Sequence, residues 1–158
     1  MAERGDIKPA YLIAGSDDGK IDAVLARLRA RAEREGGAGA LESFGPADGQ
    51  GAPDAEALVG AIPAMSLIAS RRYLVADRVE RLDTGRVREI AEALAGLPAE
   101  VTVVLVERRE HGARAKPSKA RVDASAALAA AVEAEGGEVL RYDAPTASSG
   151  GQPSRRSQ

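Results

Sequence analysis

The apolar run Tyr11-Leu12-Ile13-Ala14 leads into Gly15-Ser16-Asp17-Asp18-Gly19-Lys20-Ile21 and then into a helical pattern, the place where a phosphate-binding loop sits. A working loop of this kind reads G-x-x-x-x-G-K-[ST], because four spacer residues wrap backbone N–H groups around phosphates and the hydroxyl ligates magnesium. Here three residues separate Gly15 from Gly19, and Lys20 is followed by Ile21 where the hydroxyl is needed. Asp17 and Asp18 add two carboxylates, and like charges at about 4 Å oppose each other by roughly 4 kcal/mol at an effective dielectric near 20. The residues read as a degenerate phosphate loop, a nucleotide-binding architecture without nucleotide chemistry. They also fit an ordinary strand-turn-helix connection in which Asp17 or Asp18 caps the helix.

Two further acids close strand-like segments, Asp77 and Glu107, and either could serve as a magnesium ligand after a buried strand. Each is followed by arginine, Arg78 and Arg108, rather than by a second acid. They also read as solvent-facing charges that terminate a strand. Asp17, Asp18 and Asp77 together suggest a phospho-receiver or nucleotide-responsive signalling domain, although Glu107 and Arg141 stand where its hydroxyl and lysine belong. From Arg108 to Arg121 the chain carries Arg108, Arg109, Arg114, Lys116, Lys119 and Arg121 against Glu110 alone, read as a loop able to meet phosphate or DNA. No aromatic residue is interleaved there for base stacking, which also fits a plain solvated loop. The single histidine, His111, lies in this polar stretch without a nucleophile beside it.

Strand-like and helix-like segments alternate along the chain, which predicts an α/β fold with a mainly parallel sheet. Strands are expected over 10–14, 41–44, 72–77, 101–106 and 138–142. Helices are expected over 18–35, where Ile21, Val24, Leu25 and Leu28 share a face, after Asp54, over 84–95, and over 123–135. The run VTVVLV at 101–106 is β-branched and continuous, so it should lie centrally and be buried on both faces. Parallel strands then bring Asp17, Asp18, Asp77 and Glu107 to one edge of the sheet.

Across 158 residues the formal net charge is −2, so no global field draws the chain to nucleic acid or membrane. The absence of cysteine excludes disulfides and thiolate chemistry, and one histidine excludes a multi-histidine metal site. With no apolar leader and no membrane-length apolar run, the expected address is the cytoplasm, with no membrane partner and no cofactor. Residues 144–158, rich in Ser, Gly and Pro, are expected to form a disordered polar tail.

Between the second helix and the third strand, Met65, Leu67 and Ile68 are dense for a solvated loop. A short turn capped by Ser66 would present Leu67 and Ile68 together, either to the core or to a partner's pocket.

Three stretches resemble the N-terminal domain of the delta subunit of bacterial DNA polymerase III, the clamp-opening subunit of the clamp loader. They are KPAYLIAGSDD at 8–18, SLIASRRYLV at 66–75, and VTVVLV at 101–106 with the basic loop, helix and strand that follow. The resemblance implies an AAA+-like, P-loop-NTPase-like fold of five mainly parallel strands flanked by helices, without a functional Walker A loop. It implies a clamp-binding domain over 1–143, with the family's lid and collar domains not included in the 158 residues. It implies no catalysis by this domain, although the holoenzyme to which the subunit belongs is a nucleotidyltransferase, a DNA-directed DNA polymerase. Its implied partners are the sliding clamp (the beta subunit), the other loader subunits where a collar is present, and DNA through the complex. Leu67 and Ile68, beside Met65, occupy the positions that insert into the clamp in that family.

Overall fold

The computed structural model describes residues 7–37, 39–45, 51–64, 71–109 and 117–145. Among them are five strands, β1 (Ala10–Gly15), β2 (Leu41–Ser43), β3 (Arg72–Asp77), β4 (Val101–Arg108) and β5 (Glu138–Arg141). Four α-helices alternate with them, α1 (Asp18–Gly36), α2 (Ala55–Ala61), α3 (Thr84–Ala93) and α4 (Lys119–Ala134). All strand pairs are parallel, in the order β2-β3-β4-β1-β5. The expected central place of the VTVVLV run is the observed one.

The direction in which the chain moves across the sheet decides which face each helix covers. From β1 the chain runs outward to β2 at one edge, then returns through β3 and β4 and passes β1 to reach β5. Parallel crossovers are right-handed, so the single outward connection, α1, falls on one face and the three returning ones, α2, α3 and α4, on the other. The strands alternate accordingly. Leu12, Leu74, Val103 and Leu105 pack with Leu58 of α2, Ile90 of α3, Leu94 of the turn that follows it, and Leu128 of α4. Ile13, Val75, Val104 and Val106 meet Ile21 and Val24 of α1.

Helix starts follow capping chemistry. Asp17, Asp54, Asp83 and Ser118 accept side-chain hydrogen bonds from the amides of Lys20, Ala57, Arg86 and Arg121. Because Ser118 is a competent cap, α4 begins at Lys119, four residues before the start expected from the apolar pattern. Lys119 and Arg121 therefore belong to a helix rather than to a loop. β4 likewise continues two residues past the apolar run, through Glu107 to Arg108. No helix among the described residues is long and apolar enough to cross a membrane.

The α1 end away from the turn is tied to the sheet by a buried phenol. Tyr73 is fully buried, and its hydroxyl donates to Glu35 Oε1 at 2.7 Å. Burial, and then this hydrogen bond, push the Tyr73 hydroxyl up to about 12, while the bond holds the Glu35 carboxyl below its ordinary range. A tyrosine raised in the folded state contributes stability that is complete below the unfolded value and is lost as pH rises through the folded one. The expected loss by pH 11 is about 1.4 kcal/mol. Denaturant midpoints at pH 8 and pH 11 should show it in the native chain and not in Tyr73→Phe, which costs about 1 kcal/mol at neutral pH. An equal alkaline loss in both proteins would assign it to other groups.

Candidate functional site

In open parallel sheets, ligands bind beyond the strand C-termini where neighbouring connections leave for opposite faces. Here that point lies between β1, which leads to α1, and β4, which leads toward α4. It brings together Gly15 through Asp22 from one side and Arg108 and Arg109 from the other.

The chain's own backbone occupies the crevice. After β5, Tyr142 N–H donates to Ala14 O at 2.8 Å, Asp17 N–H to Tyr142 O at 2.9 Å, and Arg109 N–H to Gly15 O at 2.8 Å. Ala144 N–H donates to Ser16 Oγ at 3.0 Å. The amides of Lys20 and Ile21 are turned inward, to Asp17 Oδ1 at 3.1 Å and Asp17 O at 3.0 Å. The donors of Asp17, Lys20 and Ile21, which a phosphate loop would offer to its ligand, thus cap the helix and anchor β5. Gly15 is required for a different approach than a phosphate's. At φ +146, a Cβ there would lie 2.0 Å from Tyr142 O.

Arg108 fills the rest. Its Nε and Nη2 donate to Asp77 Oδ1 and Oδ2 at 2.8 and 3.0 Å. Nη1 reaches Asp18 Oδ1 at 3.0 Å, and Nη2 also reaches Asp22 Oδ1 at 2.7 Å. Asp18 and Asp22, four residues apart, share one face of the first turns of α1. The guanidinium side chain is 7% exposed, while Asp18 and Asp22 are 63% and 65% exposed. These carboxylates, Asp77 first and then Asp22, hold the Arg108 guanidinium well above its ordinary range against the opposing cost of burial. Glu80 completes the floor, accepting Arg108 N–H at 2.8 Å. Burial pushes its carboxyl up. The left-handed backbone of Arg78, φ 69, turns the chain so that residues 79–81 carry Glu80 back under β4.

A fixed guanidinium thus stands among the acids where a divalent ion or a phosphate would be held. Arg108 was expected as an exposed loop cation. It is instead a buried strand residue, because β4 extends far enough to place it opposite Asp77 and the start of α1. The receiver-like reading of Asp17, Asp18 and Asp77 is overturned on two grounds. That fold runs 2-1-3-4-5, whereas this sheet runs 2-3-4-1-5. Asp17 is the helix cap, and Asp18 and Asp77 neutralise Arg108. Glu107 does not join the site either. Its side chain lies on the α4 side and accepts Ser125 Oγ–H at 2.8 Å.

The other expected phosphate contacts are dispersed. Arg109 pairs with Asp143 at 3.0 Å, and Lys119 pairs with Asp123 at 3.0 Å while remaining 87% exposed. Such surface pairs contribute little and exchange readily. Arg121 Nη2 donates to Leu82 O. Arg114, Lys116 and His111 lie outside the described residues, as do Met65, Leu67 and Ile68. A concavity of about 210 Å³, lined by Ile7, Tyr11, Val24, Arg27, Leu28, Arg31 and Leu140, lies beside α1 and includes none of these acids.

Sequence reasoning missed Asp22, Glu80 and the inward course of Arg108. The i, i+4 spacing of Asp18 and Asp22 was readable. Their common partner, 90 and 86 residues away respectively, was not.

No family model and no curated protein sequence matches this chain. Among solved structures, it is similar to a DNA polymerase III gamma subunit-related protein from Thermotoga maritima, with TM-score 0.53, 16% identity and coverage of 88% of this chain. It is also similar to the Bacillus subtilis DNA clamp loader delta protein YqeN, with TM-score 0.59, 11% identity and coverage of 93% of this chain. The matched region spans 42% of each of those two chains. At these identities the likeness is one of fold, a parallel five-stranded α/β domain.

Proposed function

We propose that this chain is a delta-type clamp-loader domain that acts in DNA replication by binding rather than by turnover, docking Leu67 and Ile68, with Met65 beside them, on the sliding clamp. The observation that carries the reading is the closed switch point. In a fold shared with clamp-loader proteins, the crevice that would hold nucleotide is occupied by Arg108 and by the backbone of residues 142–144. A domain so built contributes by differential affinity, favouring an opened clamp over a closed one while other subunits spend ATP. Arg109, Arg114, Lys116, Lys119 and Arg121 would then meet DNA phosphates only within the assembled complex in the cytoplasm.

The test is surface-based binding kinetics against the purified sliding clamp. The native chain should bind, and Leu67→Ala with Ile68→Ala should weaken binding by about a hundredfold or more, as loss of two apolar anchors does. The variant's thermal unfolding should be nearly unchanged. A folded native chain that does not bind the clamp defeats the proposal. So does a stability loss beyond about 2 kcal/mol in the variant, which would place both side chains in the core.

A further inference from the structure

Arg72 opens β3, and its side chain joins the neighbouring strand to a helix end. Its residue is 5% exposed. One end of the guanidinium grips Glu42 of β2, with Nε 3.1 Å from Oε2 and Nη2 3.3 and 3.0 Å from Oε1 and Oε2. The other end crosses to the exit of α2, where Nη1 donates to Ala61 O at 2.8 Å and Ala64 O at 2.6 Å. The last carbonyls of a helix lack intrahelical donors and favour a cation. The last turn of α2 contains no basic residue of its own, so Arg72 supplies that cation from across the fold.

Next to it, Arg71 is held to the opposite neighbour, donating to Thr102 Oγ1 at 2.9 Å and Ala99 O at 3.1 Å. Ala64 and Arg71 are the described residues on either side of 65–70, which includes Leu67 and Ile68. The chain on both sides of that segment is therefore fastened to the sheet, and the fastening on the α2 side is the Arg72 fork.

We infer that Arg72 is a positioning residue for clamp docking: it fixes the α2 exit, the described end from which the chain leads on to Leu67 and Ile68, relative to β2 and β3. This rests on the clamp-docking reading. Fixing that exit before binding removes part of the ordering cost of association, and a chain that holds its competent arrangement only a fraction of the time binds more weakly by that fraction. Lysine cannot replace it, because a single ammonium on a flexible stem does not span a carboxylate and two carbonyls at once.

The experiment compares Arg72→Met, Arg72→Lys and Tyr73→Phe at a temperature where all three are folded, reading clamp-binding kinetics and amide hydrogen exchange of Ile62 and Ala64. Those amides donate to Leu58 O and Ala61 O. Both Arg72 variants should bind the clamp about tenfold more weakly, with faster exchange at Ile62 and Ala64. Tyr73→Phe, a destabilised neighbour on the same strand, should bind as the native chain does. Native affinity in Arg72→Met overturns the inference, and so does an equal loss in Tyr73→Phe, which would make the effect one of general stability. If the native chain itself does not bind the clamp, the docking reading fails separately. The exchange at Ile62 and Ala64 then decides the positioning role, and unchanged protection in Arg72→Met overturns it.

Discussion

Replacement of Arg108 by alanine is expected to destabilise the fold by about 3 kcal/mol, read as a lower urea midpoint with an unchanged slope. The guanidinium is buried and donates to Asp18, Asp22 and Asp77. Breaking a buried pair by removing one partner typically costs about 3–5 kcal/mol, because the charge left behind is uncompensated. The value belongs at the low end of that range because Asp18 and Asp22 are exposed enough to rehydrate once the arginine is gone. Of the three carboxylates on the guanidinium, Asp77 is the most enclosed, at 36% exposure. Adding Asp77→Asn to Arg108→Ala should therefore recover part of the loss, giving a coupling of about 1 kcal/mol or more between two residues in direct contact. Arg108→Lys should not recover it, since one ammonium cannot satisfy three carboxylates arranged around a planar fork. A loss below about 1 kcal/mol in Arg108→Ala would show that water already screens the cluster as it does an ordinary surface pair.

Gly15→Ala should be comparably damaging, by about 4 kcal/mol, and its neighbour in the same turn should respond with the opposite sign. At Gly15 a methyl group would lie 2.0 Å from Tyr142 O, with φ at +146. That backbone region is essentially reserved for glycine and costs about 1–3 kcal/mol for other residues. Relief requires Tyr142 to withdraw, which breaks its bonds to Asp17 and Ala14 at about 1 kcal/mol each. Gly19 sits in α1 with room, since a Cβ there would meet only Asp17 Oδ1 at 3.6 Å. Gly19→Ala should therefore stabilise by about 0.5–1 kcal/mol through helix propensity. Thermal and urea unfolding of the two variants would separate this account from a phosphate-loop account. In a loop kept for ligand approach, neither alanine would collide with the protein itself.

Much of the fold could be read from local pattern. The β-branched run at Val101 to Val106 announced a strand buried on both faces. The spacing of Ile21, Val24 and Leu28 announced α1, and Asp17 and Asp54 marked helix starts, whereas the Asp83 cap came to light only in the structure. The boundaries that moved did so for local reasons that the apolar pattern underweights. Ser118 caps α4 before its first buried residue, and β4 outlasts its apolar stretch because Glu107 and Arg108 both find partners. The candidate site was less legible. Gly15, Asp17 and Lys20 were seen to depart from a phosphate loop, but not that Tyr142 and Ala144 close over them. Arg108 read as a loop cation by composition, yet it is a buried fork joining elements distant in sequence, and Arg72, read only as the start of a strand, is another.

By itself, the sequence determined the alternation of strands and helices, the missing hydroxyl at Ile21, and the gathering of acids at one sheet edge. Periodicity, capping and turn chemistry are short-range, so they are written within a few residues of where they act. Only the tertiary structure decided that β1 lies between β4 and β5, which sets Arg108 against Asp18, Asp22 and Asp77 and lays residues 142–144 across the turn. Strand order is not encoded in any local period. It follows from which crossovers bury the most apolar surface together, and the charges at the strand ends acquire their partners only after that choice is made.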